Sequence, residues 1–540
     1  KFMWAHDTVR QAAYELIPPS KREMFHLLIG TKILINTTSK QLEDSIFDIV
    51  SQMMAGKEYL QSDSQKYEVA ELNLIAGRRT LKTFTFSSAA AYLLSGIKLL
   101  PDDCWEHEYN LSLNLYNAAI EASYNAGDFG RLRNLVFKTL AKANTFKDTL
   151  NAHQHHILLL KSSCLTPEAV SKCLFLIGEL GEELPSEQVA TEALVAAEFT
   201  HVKNILMAHS EEDILRLRVM NDSRKVATMD FLQMLISSSG NTQFNLIAIA
   251  VFRMIKLSIE WGLCDTSAFA FATYGGFLCK TQDYEGAYRF GKVAVKLLNR
   301  LSLKAQNRVK ARVYTVVVCV INIFREPYQA SLDKLLDGYR SGCQYGDLEF
   351  AFYCLQRHSV IQLHAGGNLI KLKQEMTSAV KKAWQYGQVT ATILILPWLS
   401  FVIEMTGDTS CKDPYKTYLS CTEHALLALQ ESRTNFGFCH LLCNKKKIVF
   451  VFNGDIDGAA QYYTRSLKYP RESTPSTGSI LSTFADGLIA FTQAQKHDID
   501  EEQWTNIAVG VIAIFYVWVK NSSWNFSHKL LLLEAEHHVL

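Results

Sequence analysis

Proline is scarce in this chain, with ten in 540 residues. Proline breaks helices, so its scarcity leaves most of the sequence open to long ones. Net charge is nearly absent: 55 basic against 54 acidic residues leave +1, which gives no electrostatic case for nucleic acid or a membrane surface. The twelve cysteines lack a pattern, and none form a Cys-x-x-Cys pair. Cys439 and Cys443, with only His440 beside them, are a poor start for a zinc site. Unpatterned thiols are expected to be buried and free. They point to a reducing compartment and a cytoplasmic location. No secretory signal opens the chain, and Lys1 in place of Met points to a fragment. The longest apolar run, 507–519, has 13 residues; it is too short to span a bilayer and is expected to be a buried helix.

Catalytic motifs are missing too. Gly56-Lys57 is followed by Glu58 and Gly291-Lys292 by Val293, so neither builds a phosphate-binding loop. No G-x-G-x-x-G, kinase H-R-D or D-F-G, or G-x-S-x-G elbow occurs. His153, His155 and His156 are dense, but read as a polar helix surface rather than a metal site; His537-His538 read as solvated. Lys445-Lys446-Lys447 read as a solvated helix face, because longer clusters serve nucleic acid or anionic lipid. His6 and Asp7 are neighbours whose side chains would point about 100° apart on a helix, so they form no acid/base dyad. No catalytic residue, metal ligand or resident cofactor is assigned.

What is present is helical. Residues 265–300 read as two antiparallel helices joined by a tight turn at Thr281-Gln282-Asp283. Gly275, Ala287 and Ala294 place small side chains where the backbones approach. Their offsets of 12 and 7 residues match the small-residue pattern of a tetratricopeptide helix pair. Such a pair needs stacked neighbours to bury its apolar face. Acidic turns recur at Gly127-Asp128, Gln282-Asp283, Gly346-Asp347 and Gly454-Asp455, where Gly suits a left-handed helix end and Asp suits the cap of the next helix. Ala351 and Ala459 follow the later two turns as packing positions. The β-branched run 313–324 is read as a fully buried helix, since a lone strand would have no partner. Residues 407–414 and 470–478 read as loops. Together these readings give an all-α, tetratricopeptide-like helix-pair superhelix, or α-solenoid.

The first segment carries a family signature. Pro18-Pro19 ends one helix, and Ser20 with Glu23 reads as a capping box opening the next. Phe2, His6, Asp7, Val9, Ala12, Ala13, Tyr14, Leu16 and Ile17, then Arg22, His26, Ile29 and Gly30, resemble a motif of large signalling proteins that join an AAA-type ATPase to helical repeats. Further likeness lies in 46–50 with Gln52 and Gly56, in Asn73, Gly77 and Gly96, and in Trp105. It continues through Met220-Asn221-Asp222, Lys225, Ser258, Gly262, Ser267, Gly346-Asp347-Leu348-Glu349, and Asn525-Phe526 with His528-Lys529. The resemblance implies a helical region following the ATPase and winged-helix modules of multi-sensor hybrid histidine kinases. It implies ATP or ADP in a module upstream, with His6 a weak candidate for touching nucleotide phosphates. It also implies that 1–57 is a tail of that module, 58–260 and 261–470 are repeats, and 471–540 are closing helices. The expected partners are a protein or peptide on the concave surface and the adjoining ATPase and output modules, with no nucleic acid and no membrane span. A non-catalytic regulatory module is the first expectation. A free-standing scaffold and an enzyme with a dispersed active site are the alternatives.

Overall fold

The structure is a computed structural model describing residues 7–83, 85–163, 165–186, 188–239, 243–386, 388–407, 436–468, 477–496 and 500–540. Among these residues the fold is all-α, with one isolated bridge between Val219 and Leu263. The chain forms two compact units, Lys1–Leu159 and Leu160–Leu540.

In the first unit, helix Pro19–Ile35 starts with Pro18 as its N-cap, earlier than the expected cap at Ser20. Proline is well suited to the first helical position, where its missing N–H has no partner to lose and its φ already fits the helix. Helix Ser39–Ala55 packs against it. A Cβ on Gly30 would lie 2.6 Å from Met53 Cγ, and one on Gly56 would lie 2.4 Å from Glu23 O. Ile46, Ile49, Val50, Val69 and Leu72 form the core beneath. Trp105 is buried against the rings of Tyr109 and Tyr116, with centroids at 5.9 and 5.1 Å.

In the second unit, helices Ser267–Lys280 and Tyr284–Arg300 form the expected antiparallel pair. Gln282 takes φ 61° at the turn. The Asp283 N–H donates to Leu278 O at 3.0 Å, and its carboxylate caps the next helix by accepting from the Gly286 N–H at 2.8 Å. Glycine does the same work at Gly454, φ 78°, where Asp455 accepts from the Gly458 N–H at 2.8 Å. Within the first unit, Gly127 has φ 73° and Asp128 accepts from the Arg131 N–H at 3.1 Å. This is a helix end whose last carbonyls are satisfied by a left-handed residue, fused directly to an N-cap. The Gly346 turn shares the φ, at 79°, but Asp347 makes no side-chain cap.

The run 313–324 departs from the expected uniform helix. Helix Leu303–Val316 gives way to a π turn, Val317–Ile321, and then a 3₁₀ turn, Asn322–Phe324. The wide turn lays β-branched side chains over the glycines of the preceding pair. A Cβ on Gly275 would meet Ile321 Cδ1 at 2.7 Å and Ala287 O at 2.9 Å; one on Gly291 would meet Ile321 at 3.3 Å. A π turn also frees carbonyls, and Val320 O is met by the Cys279 thiol at 3.5 Å.

Beyond the pair, Ser267–Lys280 packs on Leu303–Val316, which packs on Leu348–His364, which packs on Val389–Met405. The C-terminal helices Thr477–Ala494, Glu501–Asn521 and Ser523–Val539 pack on one another and return to the middle of the unit. Trp518 Nε1 donates to Tyr284 OH at 3.1 Å, and Asn525 Nδ2 donates to Ile323 O at 2.8 Å and Glu326 O at 2.9 Å. The 507–519 run is therefore part of a 21-residue helix and is not fully buried. Ala508, Val511, Phe515 and Trp518 face inward while Val509, Ile514 and Tyr516 are exposed. Among the described residues it is the one helix long and apolar enough, by length and composition alone, to cross a membrane. Most of the two expected loops, 408–414 and 470–476, lies outside the described residues, and a helix already begins at Thr477.

Two substitutions test this packing. Gly275→Ala is expected to destabilise by about 1–3 kcal/mol, the usual cost of overpacking, seen as a lower thermal midpoint. Gly510→Ala, with nothing within 4 Å, is expected not to lower it. Gln282→Gly is expected to stabilise by about 0.5–1 kcal/mol by relieving the left-handed conformation.

Candidate functional site

The packing residues picked from sequence are distributed along the second unit rather than gathered at one point. Ala287 and Ala294 are fully buried within the first pair. Ala351 is buried, its Cβ 2.8 Å from where a Gly342 Cβ would sit. Ala459 is buried beside Tyr463 and Ile489. Gly346 and Gly454 are the turns described above. His6 lies outside the described residues.

One of these residues, Asp347, belongs to a constellation that the spacing did not reveal. Its carboxylate is turned away from the cap and takes the Arg312 guanidinium from two sides, Nε to Oδ2 at 2.7 Å and Nη2 to Oδ1 at 3.1 Å. Asp347 is 7% exposed. The guanidinium also lies over the Phe350 ring, 5.1 Å from its centroid. Two residues further on, Glu349 Oε2 pairs with Lys161 Nζ at 2.7 Å, while Tyr353 OH donates to Oε1 at 3.0 Å. Lys161 also donates to Ser237 Oγ at 3.0 Å. On helix Ser223–Ser239, Asp230 accepts from Thr266 Oγ1 at 2.8 Å. Burial pushes the Asp230 carboxyl up, against the Thr266 hydrogen bond and the charges of Arg308 and Arg312.

A second node sits at Glu182. It receives Lys225 Nζ at 2.6 Å and the Arg253 guanidinium. Burial works to raise its carboxyl, but the two cations outweigh burial and hold it below the usual range. Both nodes spend their carboxylates on fixed cationic partners from distant helices. Buried pairs of this kind are costly to break by removing one member.

Several motif residues also prove to be contacts with one another. In the first unit, Tyr14 OH lies 3.1 Å from His26 Nε2, His26 Nδ1 lies 2.6 Å from Gln52 Oε1, and Arg22 Nε donates to Ile17 O at 3.1 Å. In the second, Ser258 and Ser267 share a hydroxyl contact of 3.0 Å. Gly262 has φ 104°, and a Cβ there would lie 2.3 Å from Arg218 O.

Two readings of charged runs need correction. Lys445 and Lys447 are not on a solvated face: they are 4% and 1% exposed. Lys445 sits over the Trp398 ring, and Lys447 pairs with Asp486 and donates to Ser482 Oγ at 2.9 Å. Helix Phe436–Phe452 is enclosed by Val389–Met405 and Thr477–Ala494, so two of three lysines are covered. His153, His155 and His156 are partly buried against Phe146, Tyr124 and Phe137 respectively. Among the described residues no cluster of three or more His, Cys, Asp or Glu could hold a metal. The side chains of Cys439 and His440 are outside the described set; Cys443 is buried. Burial pushes the thiols of Cys173 and Cys319 up to about 12 and that of Cys343 up to about 11, which leaves them poor nucleophiles.

No family model matches the chain. A curated protein, "Hybrid signal transduction histidine kinase G" of Dictyostelium discoideum, is similar to it: 19% identical over 455 residues, covering 75% of this chain and 13% of that protein. The likeness links an all-α chain to signal-transduction kinases.

Removing one member of the Arg312–Asp347 pair is expected to cost about 3–5 kcal/mol. Arg312→Met alone and Asp347→Leu alone should each lower the urea midpoint strongly. The double variant should recover much of the loss, because it leaves no buried charge without a partner.

Proposed function

We propose that this chain is a non-catalytic regulatory and protein-interaction module of a signal-transduction ATPase, coupled in the intact protein to a histidine-kinase phosphorelay. The observation that carries this reading is how its buried charge is used. Arg312, Asp347, Lys161 and Glu349 are committed to joining helices, and the chain resembles part of a much longer histidine kinase.

The finer architecture we propose is a tetratricopeptide-like superhelix. Its support is the run of alternate helices from Ser267–Lys280 to Val389–Met405, each packed on the next. It departs from an ideal repeat array, in which each repeat touches only its neighbours, because Lys161 reaches Glu349 and Trp518 reaches Tyr284. A concave face of such an array would take a protein or peptide.

The adjoining ATPase, holding ATP or ADP, would dock near helix Pro19–Ile35, which exposes Met24, Leu28 and Ile29. Residues 1–57 then form its tail, 58–260 and 261–470 the repeats, and 471–540 the closing helices, in a cytoplasmic protein. Binding at the repeats would bias the nucleotide switch by differential affinity for its states.

The reading is tested on the full-length transcript and its product. A phosphate-binding loop encoded before Lys1, a histidine kinase encoded after Leu540, and ATP turnover altered by deleting 160–540 are expected. A start codon just before Lys1 with a stop after Leu540 would overturn it in favour of a free-standing scaffold.

A further inference from the structure

Helix Glu501–Asn521 packs its inner face on helices Thr477–Ala494 and Ser523–Val539. Its outer face carries Glu502, Asn506, Val509, Ala513, Tyr516 and Lys520, all exposed. At 3.6 residues per turn these lie within about 40° of one line along the helix. Glu502 and Lys520 stand at its two ends, about 27 Å apart at 1.5 Å per residue, too far to pair with each other.

The line reads alike from both ends. Turned end for end about residue 511, it sets Glu502 opposite Lys520, Asn506 opposite Tyr516 and Val509 opposite Ala513. Each match is complementary: acid with base, amide with phenol hydroxyl, branched side chain with small. A twofold axis between identical chains demands this reciprocity, in which one residue meets another and the second meets the first. An unrelated partner demands no such symmetry. Antiparallel placement also sets the helix dipoles against each other favourably. At the N-terminal end, a shallow hollow lined by Asp500, Glu502, Gln503, Asn506 and Ile507 lies where the Tyr516 ring and Lys520 ammonium of a second copy would arrive. Tyr516 is held in place by donating to Glu534. A lipid surface suits the line poorly, since it would have to take Glu502, Asn506 and Lys520 together with Val509 and Ala513.

We propose that this face is a contact between two copies of this chain, paired antiparallel along helix Glu501–Asn521 with the twofold axis level with residue 511. The pairing needs neither an ATPase nor a kinase module. One helix pair flanked by two exposed ion pairs makes a small interface, so the dimer forms at about 1–100 µM.

The test is sedimentation equilibrium of the whole chain over that range, with Glu502→Lys and Lys520→Glu made separately. The unaltered chain is expected to dimerise. Each variant alone sets like charges together twice and should weaken dimerisation about tenfold. Mixing the two variants restores both ion pairs and should recover the unaltered affinity as a heterodimer, which a merely structural role for either residue would not produce. Circular dichroism reports whether each variant folds. Should either fail, hydroxyl-radical labelling of Tyr516 in the unaltered chain decides, and it is expected to fall as the chain is concentrated. A chain that stays monomeric, a dimer indifferent to both substitutions, no recovery on mixing, or labelling of Tyr516 that does not change with concentration overturns the proposal. So does a monomer that sediments with phosphatidylcholine–phosphatidylserine vesicles, which would give the face to a membrane.

Discussion

The bidentate grip of Asp347 on Arg312 is the contact on which the middle of the second unit depends. A left-handed glycine and an aspartate open helix Leu348–His364 as they open others in the chain, but this aspartate gives up its cap to hold a guanidinium from helix Leu303–Val316. A planar fork meeting a carboxylate fixes orientation as well as distance. On the same helix Glu349 meets Lys161, 188 residues away in the chain, and Lys161 in turn donates to Ser237. Helices distant in sequence are thereby held by charges that have little water to fall back on.

Around that grip the unit is built from close backbone approach. Glycines at 275 and 291 admit Ile321, and the helix that carries Ile321 widens into a π turn to deliver it. The carbonyls at the far end of that segment are closed by Asn525 from near the C-terminus. Apolar packing supplies contact, while the buried polar groups select which helices meet. Such groups are poor sources of net stability but costly to leave half-satisfied.

Much of the helical fold was legible in sequence because its signals are local. A residue that accepts φ > 0 followed by Asp is read from two letters, and the structure uses that turn at 127–128, 282–283 and 454–455. The fate of Asp347 was not legible, since its partner lies 35 residues back and nothing in Gly-Asp-Leu-Glu distinguishes a cap from a fork. Lys445 and Lys447 illustrate the same limit: a basic triplet reads as solvated until Trp398 and Asp486 arrive from other helices. The π turn and the half-exposed face of Glu501–Asn521 likewise follow from tertiary neighbours rather than from composition. Of the residues in the buried charge line, Asp347 and Glu349 stood in a recognised motif, while Lys161, Asp230 and Arg312 carried no sequence signal.

The central claim is that buried ion pairs make the helices between 223 and 364 open together. Native-state amide hydrogen exchange across a urea series measures this directly. The account predicts one shared opening free energy for Ser223–Ser239, Ser267–Lys280, Leu303–Val316 and Leu348–His364. Helix pairs that open one after another, each with its own urea dependence, would contradict it and return the unit to a simple nearest-neighbour array.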